Sequence, residues 1–205
     1  MSFYKILVIG DVGVGKTSLV NRIVYNTFTE KYKATIGCEF GLKVIDINGE
    51  NVRIQLWDLA GQDRLGGISR LYCRDANGAL VITDITRRET LDKATSWKAN
   101  IDENSRLVDG SHIPMILCAN KYDLTNPHSC MTQEELNEFA GSRNFLAGIF
   151  TSAKTGANTE KALMMLVTEM MNKCPIKEGG VESKIVSATK KLEAKPAVKT
   201  KKGCC

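Results

Sequence analysis

The order of apolar runs and helix-period segments along these 205 residues predicts an α/β fold: a six-stranded, mostly parallel sheet with one antiparallel strand and helices on both faces. Three observations carry that prediction. Short apolar runs alternate with segments of 3.6-residue period, the pattern of parallel strands joined by crossover helices. One pair of runs is separated only by Asn48-Gly49, a two-residue hairpin signal, so those two strands should run antiparallel. The first run, Ile6-Leu7-Val8-Ile9, empties directly into Gly10-Asp11-Val12-Gly13-Val14-Gly15-Lys16-Thr17, a glycine-rich turn ahead of an amphipathic helix.

Strands are predicted at 4–9, 40–47, 52–57, 79–83, 113–119 and, with a weaker pattern, 147–151. Helices fall between most of them, at 16–25, 89–102, 133–142 and 159–172. Leu19, Val20, Ile23 and Val24 form the apolar face of the first. Between it and the second strand lies Phe28-Thr29-Glu30-Lys31-Tyr32-Lys33-Ala34-Thr35-Ile36-Gly37, polar and aromatic, which reads as a mobile loop. Thr90 stands at the start of the segment leading to Trp97, and Thr132 with Glu135 three residues later makes a capping box ahead of Leu136 and Phe139. Cys118, inside Met115-Ile116-Leu117-Cys118-Ala119, reads as a small buried core residue. After Pro175 the composition shifts to Lys, Glu, Gly, Ser, Thr and Ala, as in a flexible linker. The expected division is therefore a globular domain over 1–174 and a basic tail over 175–205.

With 43% hydrophobic and 25% charged residues, the chain is one globular domain plus spare length. No run approaches the roughly 20 apolar residues of a membrane span. The first ten residues lack the basic start, apolar stretch and cleavage site of a signal peptide, so folding in the cytosol or nucleus is expected. Seven cysteines, at 38, 73, 118, 130, 174, 204 and 205, show no CxxC spacing, and only His112 and His128 accompany them; neither a zinc site nor a disulfide framework is suggested. The net charge of +5 is asymmetric: residues 173–205 hold nine lysines against three glutamates, which leaves the remainder near −1. The globular part is thus not a nucleic-acid-binding surface, whereas the tail suits anionic lipid.

A strand that empties into GxxxxGKT is the phosphate-binding loop of a P-loop NTPase. Its glycines let the backbone curl until successive N–H groups face one anion, Lys16 adds a point charge toward the β- and γ-phosphates, and the Thr17 hydroxyl can ligate Mg²⁺. The helix that follows presents its positive end to the same phosphates. In a doubly wound sheet, ligands bind at the carboxyl ends of the strands, and chemistry recurs there. Strand three ends in Trp57-Asp58-Leu59-Ala60-Gly61-Gln62; Asp58 alone could cap a helix, but after a phosphate loop it reads as the metal-side carboxylate. Strand five ends in Asn120-Lys121-Tyr122-Asp123. Asn-x-x-Asp is a common turn signal, yet a carboxylate at this place can accept two hydrogen bonds from the N1–H and 2-amino groups of guanine, donors that adenine does not offer together. Thr151-Ser152-Ala153-Lys154 follows strand six, where backbone N–H groups could reach the guanine carbonyl oxygen. Thr35 is either an ordinary β-branched residue ahead of a strand or the group that completes Mg²⁺ coordination when a γ-phosphate is present.

In this order and spacing, GDVGVGKT, Thr35 within ATIGCEF, WDLAGQD, NKYD and TSAK resemble the small GTPases of the Ras superfamily. ATIGCEF, QLWDLAGQD, LVITDIT and the terminal Cys204-Cys205 narrow the resemblance to the Rab family, over residues 3 to about 173 and the end of the tail. The segments ATIGCEFGLKV and RLGGISRLY are similar to the Rab subgroup associated with lysosome-related organelles. The resemblance implies a nucleotide-binding set of Gly13, Val14, Gly15, Lys16, Thr17, Ser18, Phe28, Thr35, Gly61, Asn120, Lys121, Asp123, Ser152, Ala153 and Lys154, with GTP or GDP as ligand. Within it Lys16 contacts the β- and γ-phosphates, Thr17 and Thr35 ligate Mg²⁺, and Asp58 acts through the metal's waters. Gly61 senses the γ-phosphate through its N–H, and Gln62, with Lys16 the catalytic pair, orients the attacking water. Asn120 and Asp123 read guanine, Lys121 and Phe28 pack on base and ribose, and Ala153 donates its N–H to the base oxygen. The loops around 30–40 and 60–75 are then switches, ordered by γ-phosphate and released on hydrolysis. An exchange factor, a GTPase-activating protein and effectors at the switches are the implied partners.

Three positions depart from the family pattern. Val12 stands where Rabs usually have serine, and a bulky residue there can crowd Gln62 or an incoming arginine finger, so slow intrinsic hydrolysis is expected. Asp63 and Leu65 replace the usual Glu and Phe, which bears on partner choice. Cys204-Cys205 could be an accidental pair or a redox or metal clip; the resemblance implies double geranylgeranylation instead, with an escort protein and a GDP-dissociation inhibitor as further partners. Two lipid chains anchor stably where one does not, and each nearby lysine adds about 1 kcal/mol at an anionic surface. The expected place is the cytoplasmic face of an intracellular membrane, endosomal, phagosomal or lysosome-related, with cycling through cytosol. The expected function is a membrane-anchored guanine-nucleotide switch that slowly hydrolyses GTP and recruits effectors in vesicle traffic. Its rival is a GTP-loaded membrane adaptor with negligible hydrolysis, and a non-guanine P-loop enzyme such as a small kinase stands third.

Overall fold

Alternating apolar side chains divide the first strand, β1 (Ser2–Ile9), between two cores: Tyr4, Ile6 and Val8 lie in one, Leu7 and Ile9 in the other, and all five are buried. The computed structural model describes residues 2–31, 33–47, 49–61, 70–125 and 131–175. Gln62, Asp63, Leu65, Cys204, Cys205, Asn48 and the tail from 176 lie outside them. The remaining elements are α1 (Lys16–Tyr25), β2 (Cys38–Ile47), β3 (Glu50–Leu59), the single turn α2 (Arg70–Cys73), β4 (Gly78–Asp84), α3 (Arg88–Asn104), β5 (Met115–Asn120), α4 (Gln133–Gly141), β6 (Ala147–Phe150) and α5 (Thr159–Lys173).

The sheet runs β2-β3-β1-β4-β5-β6, parallel throughout except for the antiparallel pair β2 and β3. That is the predicted architecture. Ile47 pairs with Glu50 across a two-residue connection, and Gly49 takes φ +85°. One face of the sheet carries α1 and α5, which bury Leu19, Val20, Ile23, Leu163, Leu166 and Met170 against it. The other carries α3 and α4, with Leu91, Ala94, Ile101, Leu136 and Phe139. Each fully buried side chain of this size contributes roughly 1.5–3 kcal/mol by leaving water. Cys118 is fully buried in the first core, where burial pushes its thiol up to about 12; it is the small core residue expected.

Several boundaries differ from the periodicity, each with a local cause. β5 starts at Met115 and not at 113, because Pro114 has no N–H to give the ladder; its carbonyl instead accepts from Ala79 N at 3.0 Å. The Thr132–Glu135 box forms as read, with Glu135 N donating to Thr132 Oγ1 at 3.2 Å and Thr132 N to Glu135 Oε2 at 2.8 Å. Thr90 is the third residue of α3, whose N-cap is Arg87, and its buried hydroxyl accepts from Asp84 N at 2.9 Å. Among the described residues no helix is long and apolar enough to cross a membrane.

What this topology does for function is place loops. Parallel registry sets Val8 beside Asp58, Ile9 beside Val81, Asp84 beside Asn120 and Ala119 beside Phe150, so five strands end along one edge. The connection out of β1 runs to the β2 edge while the one out of β3 crosses to β4 on the other side of β1, which opens a crevice beyond the carboxyl ends of these strands.

Candidate functional site

That crevice is a cleft of about 550 Å³, with Val12, Gly13, Gly15, Lys16, Thr17 and Ser18 along one side, Phe28 to Lys31 and Lys33 to Thr35 over it, and Asn120, Lys121, Asp123, Ala153 and Lys154 at the far end. Its floor is the loop from Gly10 to Gly15. Gly15 adopts φ +97° and caps α1 with no side chain, so the first N–H groups of the helix face the cleft. A Cβ on Gly15 would also meet Asn120 Nδ2 at 2.5 Å, which leaves glycine as the one residue that fits.

Lys16 is buried, and its Nζ donates to the carbonyls of Gly10 at 3.0 Å and Asp11 at 2.9 Å, so the ammonium is folded back along the loop. Burial lowers its pKa; the nearby Asp58 and Asp11 carboxylates oppose that shift. Gly61 passes immediately above, where a Cβ would lie 2.7 Å from Lys16 Nζ and 2.7 Å from Val12 N. Next to Lys16, three oxygens converge: Thr17 Oγ1 donates to Asp58 Oδ2 at 2.5 Å, and Thr35 Oγ1 stands 2.8 Å from Thr17 Oγ1 and 3.4 Å from Asp58 Oδ2. Asp58 is 1% exposed, its Oδ1 has no hydrogen-bond partner among the described residues, and burial raises its pKa against the Thr17 hydrogen bond and Lys16 charge. A buried carboxylate with a spare oxygen beside two hydroxyls is the hard-oxygen donor set that suits Mg²⁺.

The far end is organised by one buried amide. Asn120 Nδ2 donates to Val14 O at 2.9 Å, while its Oδ1 accepts from Ala153 N at 3.2 Å and Thr151 Oγ1 at 3.3 Å. It thereby joins the three loops after β1, β5 and β6. Lys121 takes a left-handed φ of +66° and its Nζ reaches Asp84 Oδ2 at 2.7 Å. Asp123, in a short 3-10 turn (Tyr122–Leu124), accepts from Ser152 Oγ at 2.5 Å, which orients its carboxylate at the cleft rim. Above the cleft, Lys154 Nζ pairs with Glu30 Oε1 at 3.0 Å. Val14 and Ser152 stand behind the wall: the Val14 side chain is core, and Ser152, 2% exposed, offers its hydroxyl to Asp123. Every described member of the predicted set is therefore gathered at one cleft or directly behind it.

Four residues in this region lie outside the predicted set. Asp84, 2% exposed at the end of β4, accepts from Lys121, Arg87 Nε (3.1 Å) and Thr86 Oγ1 (2.6 Å). Burial pushes its pKa up, but the bonds from Lys121 and Thr86 outweigh burial and leave it below the ordinary carboxylate value. Arg87 Nη2 donates to Val12 O at 3.0 Å. Asp11 receives Lys93 Nζ at 2.9 Å and Trp97 Nε1 at 3.1 Å, so α3 grips the floor loop. Arg22 donates from Nε to Ala153 O at 2.9 Å and from Nη2 to Lys154 O at 2.6 Å. The rule that chemistry recurs at strand ends, applied to Thr83-Asp84-Ile85-Thr86, is the signal that finds Asp84.

The family model described as "Ras family" matches residues 5–172. Ras-related protein Rab-32A of Dictyostelium discoideum is 38% identical over 204 residues, 98% of this chain and 93% of that protein. Human Ras-related protein Rab-32 is 41% identical over 169 residues (82% of this chain, 75% of that protein), and rat Ras-related protein Rab-7L1 is 39% identical over 170 residues (82% of each). Proteins of this family bind GTP and GDP, as a rule with Mg²⁺, and are handled by exchange factors, GTPase-activating proteins and effectors. Similarity of this extent, over a sheet order and a phosphate-loop cleft already described on their own terms, leads to one conclusion: the chain belongs to the Ras family as a Rab small GTPase, a GTP-hydrolysing switch of vesicle traffic.

Proposed function

We propose that residues 1–174 form a guanine-nucleotide domain that cycles between GTP and GDP and hydrolyses GTP slowly, and that the basic tail 175–205 anchors it to a membrane through geranylgeranyl groups on Cys204 and Cys205. The observation that carries the nucleotide reading is Asn120, whose amide ties the phosphate loop at Val14 to Ala153 beside the Asp123 carboxylate. Phosphates lie over Gly13 to Ser18, where Lys16 exchanges its Gly10 and Asp11 carbonyl partners for them; Phe28 and Lys121 flank base and ribose, and Asp123 accepts the two guanine donors while the Ala153 N–H meets the base oxygen. Thr17, Thr35 and Asp58, whose oxygens converge beside Lys16, would hold Mg²⁺. When bound, the ion neutralises charge on the β- and γ-phosphate oxygens. Gln62 orients the attacking water, and the Gly61 N–H reports the γ-phosphate.

Effectors dock where the switches meet β2. An apolar strip of Phe40, Leu42 and Val44 is exposed there, and Phe40 adjoins Trp57 at 6.1 Å between ring centroids. A GDP-dissociation inhibitor and an escort protein shield the lipids during passage through cytosol, and the membrane is endosomal, phagosomal or lysosome-related. The second reading, a GTP-loaded adaptor with negligible hydrolysis, is favoured by one observation: the β-branched residue Val12 lines the cleft.

Titration of the nucleotide-free protein with fluorescent GDP and ATP tests the central reading. Tight, Mg²⁺-dependent binding of GDP without ATP binding is expected, and the reverse preference would end the guanine assignment.

A further inference from the structure

We propose that Arg87 is a positioning residue for nucleotide retention, a guanidinium that couples the phosphate loop to the base-reading loop so that both halves of the cleft let go together. The inference rests on the guanine-nucleotide reading given above. Arg87 is the N-cap of α3 with extended backbone, φ −129°, so its side chain leaves the helix start and spans the gap between two loops. Nη2 donates to Val12 O at 3.0 Å, while Nε donates to Asp84 Oδ2 at 3.1 Å. The same Asp84 oxygen accepts from Lys121 Nζ at 2.7 Å. A continuous polar chain therefore runs from the Val12 carbonyl through Arg87 and Asp84 to Lys121, from the phosphate end of the cleft to the base end.

Three features make the bridge more than a surface ion pair. Asp84 is 2% exposed, and a second set of bonds from Thr86 N (3.0 Å) and Thr86 Oγ1 (2.6 Å) fixes its other oxygen, so Arg87 and Lys121 meet a stationary carboxylate. Arg87 also lies directly against the loop: a Cβ on Gly13 would stand 3.9 Å from its Nη2. A guanidinium presents donors on separate nitrogens in fixed directions, so Nε and Nη2 reach Asp84 and Val12 at the same time, whereas a lysine would have to reach both from a single nitrogen. Nor is the arginine needed to seat α3, whose packing comes from Leu91, Ala94 and Ile101.

The test is the rate of fluorescent GDP release into excess unlabelled GDP, measured for the full chain with Mg²⁺ present. Arg87→Ala should release GDP about tenfold faster or more, the loss of a charge-assisted hydrogen bond. Asp84→Asn should behave similarly, and the double variant should be no faster than the faster single, because both break one bridge. Arg87→Lys should fall between wild type and Arg87→Ala, and Arg143→Ala, at the remote end of α4, should match wild type. Melting temperatures taken in parallel separate a local effect from general loosening. A wild-type rate for Arg87→Ala at an unchanged melting temperature overturns the proposal, as does a double variant whose acceleration is the product of the two singles. If Arg87→Ala does not fold, Arg87→Lys carries the test, and a wild-type rate in that variant overturns the proposal equally. Failure of the wild-type protein to bind GDP at all would instead overturn the guanine reading beneath it.

Discussion

Val12 is held at its carbonyl by Arg87 and lines the cleft. Replacing it by glycine keeps that carbonyl and removes the branched bulk beside the place where a γ-phosphate is handled. Single-turnover GTP hydrolysis by Val12→Gly should therefore be faster, by about tenfold if one contact's worth of barrier, about 1.4 kcal/mol, is relieved. Equal rates in the two proteins would sink the idea that Val12 sets the intrinsic rate. A barely measurable rate in wild type together with full recovery in the variant would favour the adaptor reading. The residues around Val12 differ in how readable they were. Lys16, Thr17, Asn120 and Asp123 announce themselves, because a phosphate loop and a base-reading carboxylate need fixed residue types at short spacing. Arg87 does not, because its role exists only once two loops far apart in sequence lie side by side, and Asp84 shows only as a carboxylate at a strand end.

At the scale of elements, local chemistry decided some boundaries and tertiary contacts decided others. The capping box at the start of α4 is local: both of its hydrogen bonds join residues three apart. Thr132→Ala should cost about 1 kcal/mol and lower the melting temperature by roughly 2–4 °C, with GDP release unchanged because α4 packs on β6, away from the cleft. Calorimetry alongside the release assay checks both halves of that prediction. The start of α3 is the contrary case. Thr90 has the composition of a cap, yet its hydroxyl accepts from Asp84 N, and the cap position falls to Arg87, whose side chain makes no capping bond and reaches Asp84 instead. The single turn α2 has too few residues to show a period at all.

At the scale of the whole molecule, the uneven charge separates a near-neutral globular part from a lysine-rich end. If lipid on the terminal cysteines supplies the anchor, the Cys204→Ser, Cys205→Ser double variant should move from the membrane pellet to the soluble fraction of fractionated cells. Persistent pelleting would contradict lipid anchoring. The alternation of apolar residues, the hairpin signal at Asn48-Gly49 and the ordered motifs determined by themselves the α/β class, the antiparallel pair and most of the cleft-lining set, since each depends on contacts or conformations within a few residues. Only the tertiary structure decided that Asn120 ties three loops together, that Asp58 keeps one buried oxygen free of partners among the described residues, and that Arg87 and Asp84 connect the two ends of the cleft. The reason is physical: hydrogen bonds between strand ends depend on sheet order and register, and residues 12, 87 and 121 become neighbours only when parallel pairing brings their strands' carboxyl ends to one edge.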